Sequence, residues 1–354
     1  MRDLLEGPML RLPGAACLIL LAALAVGCGE QDPYAPFILD PAEVEIGVSE
    51  SWRTVLQEDA VDPGKAEPWQ EPLVRDILQL GPWPPQTEME RAALDSAWAG
   101  FTRFQGTKLG IRGIDSVLAE NGILTAAGED LQDAFGRFSR HFEETPLPHI
   151  DLGYTGFNYS AYPTADILLV GCEFFIGGEH PAVKGLPPHI YPGYMQERMV
   201  PQHLVGDALR GWLLVHFQQE HYPSGGRLAD ELLYWGKVLF IARCMDPERP
   251  PRHLFDWTEA EWNWIREHEL QIWMELRKEE FLYTTKRMDI QRWVADAPFT
   301  KAGAVPQESP DRLGWYMGLR WVEDYMMRHP EMTLSRLMEQ KDVLPFLQAY
   351  RPRG

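Results

Sequence analysis

Positive charge is scarce in this chain. Thirty-three lysines and arginines stand against 52 aspartates and glutamates, giving a formal net charge of −19. A field of that sign repels phosphate backbones, so nucleic acid is excluded as a partner. Cysteine is scarcer still, with four in 354 residues. No C-x-x-C pair occurs, which excludes thiolate zinc sites. Long apolar runs are limited to residues 14–26 (GAACLILLAALAV). As a helix that run reaches about 20 Å, short of a ~30 Å hydrocarbon core. There is no internal repeat and no G-x-S-x-G elbow, and the Gly-Gly pairs at 177–178 and 225–226 lack the Lys-Ser/Thr of a phosphate loop.

The short run follows Arg2 and Arg11 and leads through Ala25-Val26-Gly27 into Cys28. Basic residues, a short apolar stretch and small residues are the marks of a cleaved secretory signal. The Ala25–Cys28 tetrapeptide resembles the lipobox of bacterial lipoproteins, which implies a signal peptide over 1–27 and diacylation of Cys28. Two acyl chains hold a protein stably on a bilayer, where one binds marginally. The alternatives are an ordinary secreted protein or an uncleaved anchor, with Cys28 incidental. Gly29 is not the Asp that retains some lipoproteins at the inner membrane, so the outer membrane is the expected address. Residues 28–72 are rich in proline and acid and read as a solvated tether. The remainder, 73–354, is long enough for one large core. Cys172 and Cys244 are then the remaining thiols, and a bridge between them and two buried thiols are both open.

Apolar periodicity places helices over 87–104, 127–142, 201–219, 227–244, 258–278, 310–328 and 333–340. Thr87 with Glu90, and Thr258 with Glu261, have capping-box spacing. Between the second and third helices, 148–176 is β-branched and aromatic, broken by Gly and Pro, and reads as three short strands. The expected fold is α+β, mainly α: a helical domain with a small β-sheet, in the element order of a zincin-like peptidase. That likeness is architectural and assigns no function.

A zincin would carry H-E-x-x-H, in which two histidines one turn apart bind zinc and the glutamate activates water. The corresponding segment is Gln202-His203-Leu204-Val205-Gly206-Asp207. His203, Asp207 and Glu231 can be drawn as a vestigial metal set. Leu204 occupies the proton-acceptor position, and leucine cannot take a proton, so no zinc and no other cofactor is expected. His216 and His221 are five apart, which turns them ~140° from each other on a helix, and His268-Glu269 has Ile272 where a second histidine would stand. Thirteen tryptophans invite a sugar-binding reading, but most fall at helical spacing and read as core or groove packing.

Several segments come in the order of one known family. They are Cys172–Gly177, Tyr191-Pro192 through Met199, Leu228-Ala229-Asp230-Glu231 through Gly236-Lys237, Glu269 with Gln271-Ile272-Trp273, and Ala297-Pro298-Phe299-Thr300-Lys301. Ser309-Pro310 with Arg312, Gly314, Gly318, Val322 and Tyr325, and then the tail Tyr350–Arg353, complete the series. Over this half the chain resembles the gliding-motility lipoprotein GldB family. Two departures are Trp235, where an acidic or small residue is expected, and Asp311, where the family has Gly.

The resemblance implies an envelope lipoprotein of the gliding machinery. It would be held to the bilayer by acylated Cys28, would contact other envelope, gliding or type IX secretion proteins, and would not be an enzyme. The alternatives are a degenerate zinc-metallopeptidase-like protein and a surface ligand- or glycan-binding lipoprotein. From the residues themselves, Gly314 and Gly318 leave a bare strip for close approach of another backbone. Glu231, Lys237, Glu269 and Arg312 are the candidate lining of one polar cleft, with Glu269 a candidate partner for Lys237; separate structural ion pairs are the other reading.

Overall fold

The computed structural model describes residues 32–57, 61–65, 67–218, 222, 226–296, 300, 303, 305, 306 and 308–353. The signal segment 1–27, Cys28, His221 and most of Ala297–Lys301 lie outside the described residues.

The helices start where side chains can satisfy their free amides. In α1 (Glu88–Arg103), Thr87 accepts from the Glu90 amide and the Glu90 carboxylate from the Thr87 amide. Thr258 and Glu261 repeat this box at a later helix, Glu259–Leu276. A further helix, α2 (Gln105–Gly113), follows α1 after one residue and runs on as a π-turn to Ala119. It has no opening cap, so its start carries no signal in the sequence. Helix α3 (Ile123–Ser139) buries Leu131, Phe135 and Phe138 on one face.

Three strands follow: β2 (His149–Gly153), β3 (Ala161–Pro163) and β4 (Ile167–Gly171). They join β1 (Val48–Ser49) in a sheet of order β1-β2-β4-β3. β1 and β4 run parallel to β2, with Ile150 opposite Leu168, and β3 closes the edge antiparallel. All five residues of β4 are buried, as its unbroken apolar run requires. Cys172–Phe175, the next apolar stretch, is a 3-10 turn rather than the continuing strand its composition suggested.

The remaining long helices are α4 (Leu204–His216), α5 (Leu228–Met245), α6 (Glu259–Leu276), α7 (Arg287–Val294) and α8 (Leu313–Arg328), with short α9 (Leu334–Glu339) and α10 (Leu344–Ala349). α4 packs on β3 and β4. α5 and α8 form the most extensive helix pair. They approach through the glycines: a Cβ on Gly318 would strike the Leu232 carbonyl, and one on Gly236 would strike the Gly318 carbonyl. The bare strip therefore serves a neighbouring helix of the same chain.

The expectation of a solvated tether through residue 72 needs correction. Pro33–Gly354 is one compact unit. Tyr34 stacks on Phe240 with ring centroids 4.6 Å apart, and Phe37 meets the same ring edge-on. Ile46, Trp52, Val55, Trp69 and Leu73 are buried. The segment is acidic and proline-rich on average, but a few large apolar side chains decide where it goes. Each buries on the order of 1.5–3 kcal/mol of transfer free energy. Cys172 and Cys244 are buried thiols with no disulfide between them.

Candidate functional site

His203 and Asp207, drawn from the sequence as part of a vestigial metal set, lie in a buried ion network. His203 ends a 3-10 turn ahead of α4, and its Nδ1 is 2.9 Å from the Arg198 carbonyl and 3.9 Å from the Asp256 carboxylate. One turn into α4, Asp207 accepts from Arg210 Nη2 at 2.5 Å. The same Nη2 reaches Asp256 at 2.9 Å, while Arg210 Nη1 donates to the Leu254 carbonyl. Asp256 also accepts from Arg312 Nη1 at 2.8 Å, and Arg312 Nε donates to Asp296 at 2.6 Å. Beside them Asp311 takes both Arg198 terminal nitrogens, at 2.7 and 3.0 Å, and the Trp257 indole N–H at 3.1 Å. Three guanidiniums thus face four carboxylates.

Backbone and charge single out the Asp256–Arg312 pair. Both residues are left-handed, at φ 56° and 55°. Aspartate tolerates that region, but arginine there is uncommon and costs energy that the surroundings must offset. The sequence suggested that α8 opens near Pro310; it opens instead after Arg312, whose turned backbone aims the guanidinium at Asp256. The guanidinium lies over Trp315, 4.8 Å from the ring centroid, and Trp315 stacks on Trp235 at 3.6 Å. Trp235, one of the two departures, is therefore the outer plate of that stack.

Burial alone would raise the Asp256 pKa, but Arg210 and Arg312 outweigh it and hold the group well below the usual carboxylate range. Asp207 shows the opposite balance. Burial and the charge on Asp256 push it up to about 7 against Arg210 and Arg312. When Asp207 takes a proton, three positive charges face three negative ones. Burial also keeps His203 below its ordinary pKa and lowers His253 to about 4, so both are neutral at pH 7.

The vestigial metal set is not assembled. His203 and Asp207 flank Asp256, whereas the Glu231 carboxylate takes the guanidinium of Arg287. Among the described residues, no three His, Cys, Asp or Glu side chains stand where they could hold a metal ion. Leu204 is buried at the would-be base position.

The single polar cleft also resolves into parts. Lys237 Nζ donates to the Met338 and Gln340 carbonyls, both at 3.0 Å, and not to Glu269. Burial lowers its pKa to about 8. Glu269 accepts from Tyr316 and Tyr350 hydroxyls at 2.8 Å, from Arg320 Nε at 3.2 Å, and from the Arg353 amide. That cluster fastens the C-terminal tail. Arg320 also pairs with Glu323, which accepts from Tyr34, so the N-terminal segment is tied to the same place. Arg312 belongs to the Asp256 network alone.

Sequence reasoning missed Arg198, Arg210, Asp256 and Asp296, since no motif marks ion partners that far apart along the chain. It also passed over Asp151 and Glu173, although each is a lone acid in an apolar run. Glu173 Oε1 accepts from Thr155 N, Thr155 Oγ1 and Phe157 N. Among the described residues its Oε2 has no partner, and burial raises the carboxyl to about 7. Asp151 accepts from Ser49 and Ser51, fastening β1 to β2, and burial raises it to about 6.

Comparison with known proteins adds one match. The model of a family described as gliding motility protein GldB matches residues 88–352. No curated protein and no solved structure matches the chain.

Proposed function

The chain belongs to the gliding motility protein GldB family, and from that membership and the buried ion network we propose that it is a non-catalytic component of the gliding machinery that works through protein contacts. The observation that carries the reading is the saturation of the network. Each of the four network aspartates has an arginine partner, and the water-activating position holds Leu204. General-base catalysis needs a proton acceptor within hydrogen-bond reach of the reacting group. At Asp256, bridged by Arg210 and Arg312, the lone pairs are occupied and the basicity is lowered, while Asp207, raised to about 7, has its carboxylate turned to Arg210.

Attachment to the envelope through acylated Cys28 is part of the same proposal, with the outer membrane as its place. No helix of the described residues is long and apolar enough to cross a membrane. A contact role is favoured by the outer face of α6 and the residues after it, where Leu270, Met274 and Met288 are 44%, 60% and 77% exposed.

Deleting the gene in the host and following colony spreading tests the proposal. Loss of spreading is expected, together with failure of a Cys28→Ala chain to restore it. Normal spreading in the deletion strain would refute the gliding role. Chelator-sensitive cleavage of casein by the purified chain would refute the non-catalytic one.

A further inference from the structure

On the face formed by α1 and α2, far in sequence from the ion network, lies a concavity of about 700 Å³. That volume is in the range of small-molecule sites. Its walls include Arg103, Lys108, Arg112 and Asp95, with exposed Leu56 supplying apolar surface over the buried Trp98. A fourth cation, Arg91, lies at the rim and is neutralised by Asp95 at 3.0 Å. The other three differ. Among the described residues none of them has a carboxylate partner, and Arg112 is fixed only through Nε on the Lys108 carbonyl. Helix α2 (QGTKLGIRG) contains no acid at all.

This grouping runs against the chain's composition. With 52 acids to 33 bases, an exposed lysine or arginine has acids in excess to pair with. Lys108 and Arg112 are instead one turn apart on α2, where like charges destabilise a helix. Arg103, at the end of α1, adds a third like charge to the same concavity. A bound anion is what turns that repulsion into attraction. Three cations suit a group of charge −2 or more, and the exposed Leu56 suits a carbon portion beside it.

We infer that this concavity is a binding site for a phosphate- or pyrophosphate-bearing small molecule, with Arg103, Lys108 and Arg112 on the anion and Leu56 against its apolar part. The same chemistry is offered by a free phosphorylated compound and by a phospholipid headgroup. The inference is independent of the gliding role and of the network around Asp256.

The test is calorimetric titration of the full chain in uncharged detergent micelles. One arm uses inorganic pyrophosphate; the other uses micelles doped with phosphatidylglycerol. Saturable 1:1 binding to one probe is expected, and the probe that binds identifies the source. Lys108→Gln and Arg103→Gln should each weaken it at least tenfold, while Lys286→Gln, on another surface, leaves it unchanged. The bound probe should also raise the melting temperature of the wild type but not of the Lys108→Gln chain. All these substitutions are at exposed positions, and circular dichroism confirms the fold. No saturable binding to either probe at millimolar concentration would overturn the inference. So would equal weakening by Lys286→Gln, which marks non-specific attraction.

Discussion

Two sets of arginines in this molecule live by opposite rules. Arg198, Arg210 and Arg312 are largely buried, and each is bonded to at least one aspartate. Arg103 and Arg112, with Lys108, are exposed at a concavity and, among the described residues, have no carboxylate partner, the one lining acid Asp95 being taken by Arg91. Burying a charge is costly unless a partner and hydrogen bonds offset it, so the first set can exist only as a closed network. An exposed charge keeps its hydration and can stay unpartnered in the free protein. A saturated cluster thus describes how the chain folds, and an unsaturated one describes what it can bind.

The contrast breaks most visibly at Arg312. Arg312→Ala leaves Asp256 with one guanidinium fewer and Asp296 without its partner, and should cost about 3–5 kcal/mol in urea unfolding. Arg103→Ala should stay within about 0.5 kcal/mol. Equal effects at the two positions would erase the distinction. Next comes the packing that holds the network's helices. Gly318→Ala drives a methyl into the Leu232 carbonyl and should cost about 1–3 kcal/mol by the same measurement.

Protonation sharpens the comparison. The Glu173 pKa is raised on folding from 4.5 to about 7, so between those values the folded state holds more proton than the unfolded. Its contribution to stability therefore falls as pH rises from about 4.5 to 7, with a slope of up to about 1.4 kcal/mol per unit. Glu173→Gln keeps the oxygen that accepts from Thr155 and Phe157 and removes that slope, which unfolding at a series of pH values reads directly. An unchanged slope would place the titration elsewhere. The smallest effect is at the open cations. Lys108→Gln relieves its repulsion from Arg112 and should raise stability by about 0.2–0.5 kcal/mol. A loss there would mean that Lys108 has a structural partner.

Local rules made much of the fold legible. Thr87-Glu90 and Thr258-Glu261 announced two helix starts, and the apolar run of β4 announced a buried strand. The α+β, mainly helical class followed from those elements. Composition misled at residues 33–72, because Tyr34, Phe37 and Trp52 outweigh the prolines and acids around them. In the candidate site, His203 and Asp207 were legible from their one-turn spacing. Asp256 was not, because it gains meaning only when Arg210 and Arg312, 46 and 56 residues away, fold against it. Lys237 was read as a cleft residue partnered by Glu269, and its carbonyl partners Met338 and Gln340 lie beyond any spacing rule. Asp311 shows the other limit: as an acid in place of the family's glycine it looked like a blurred motif, and it is the seat of Arg198.

In the proposed role the Asp207–Asp256–Arg210–Arg312 network supports the fold and does no chemistry. Asp207 is the one carboxylate there raised to about 7, and so the one that could exchange protons near neutral pH. The most direct measurement is colony spreading of a deletion strain carrying Asp207→Asn, which keeps the shape and mimics the protonated state. Full spreading at normal protein level is the predicted result. A chain that is folded and abundant yet leaves the colony unable to spread would contradict it.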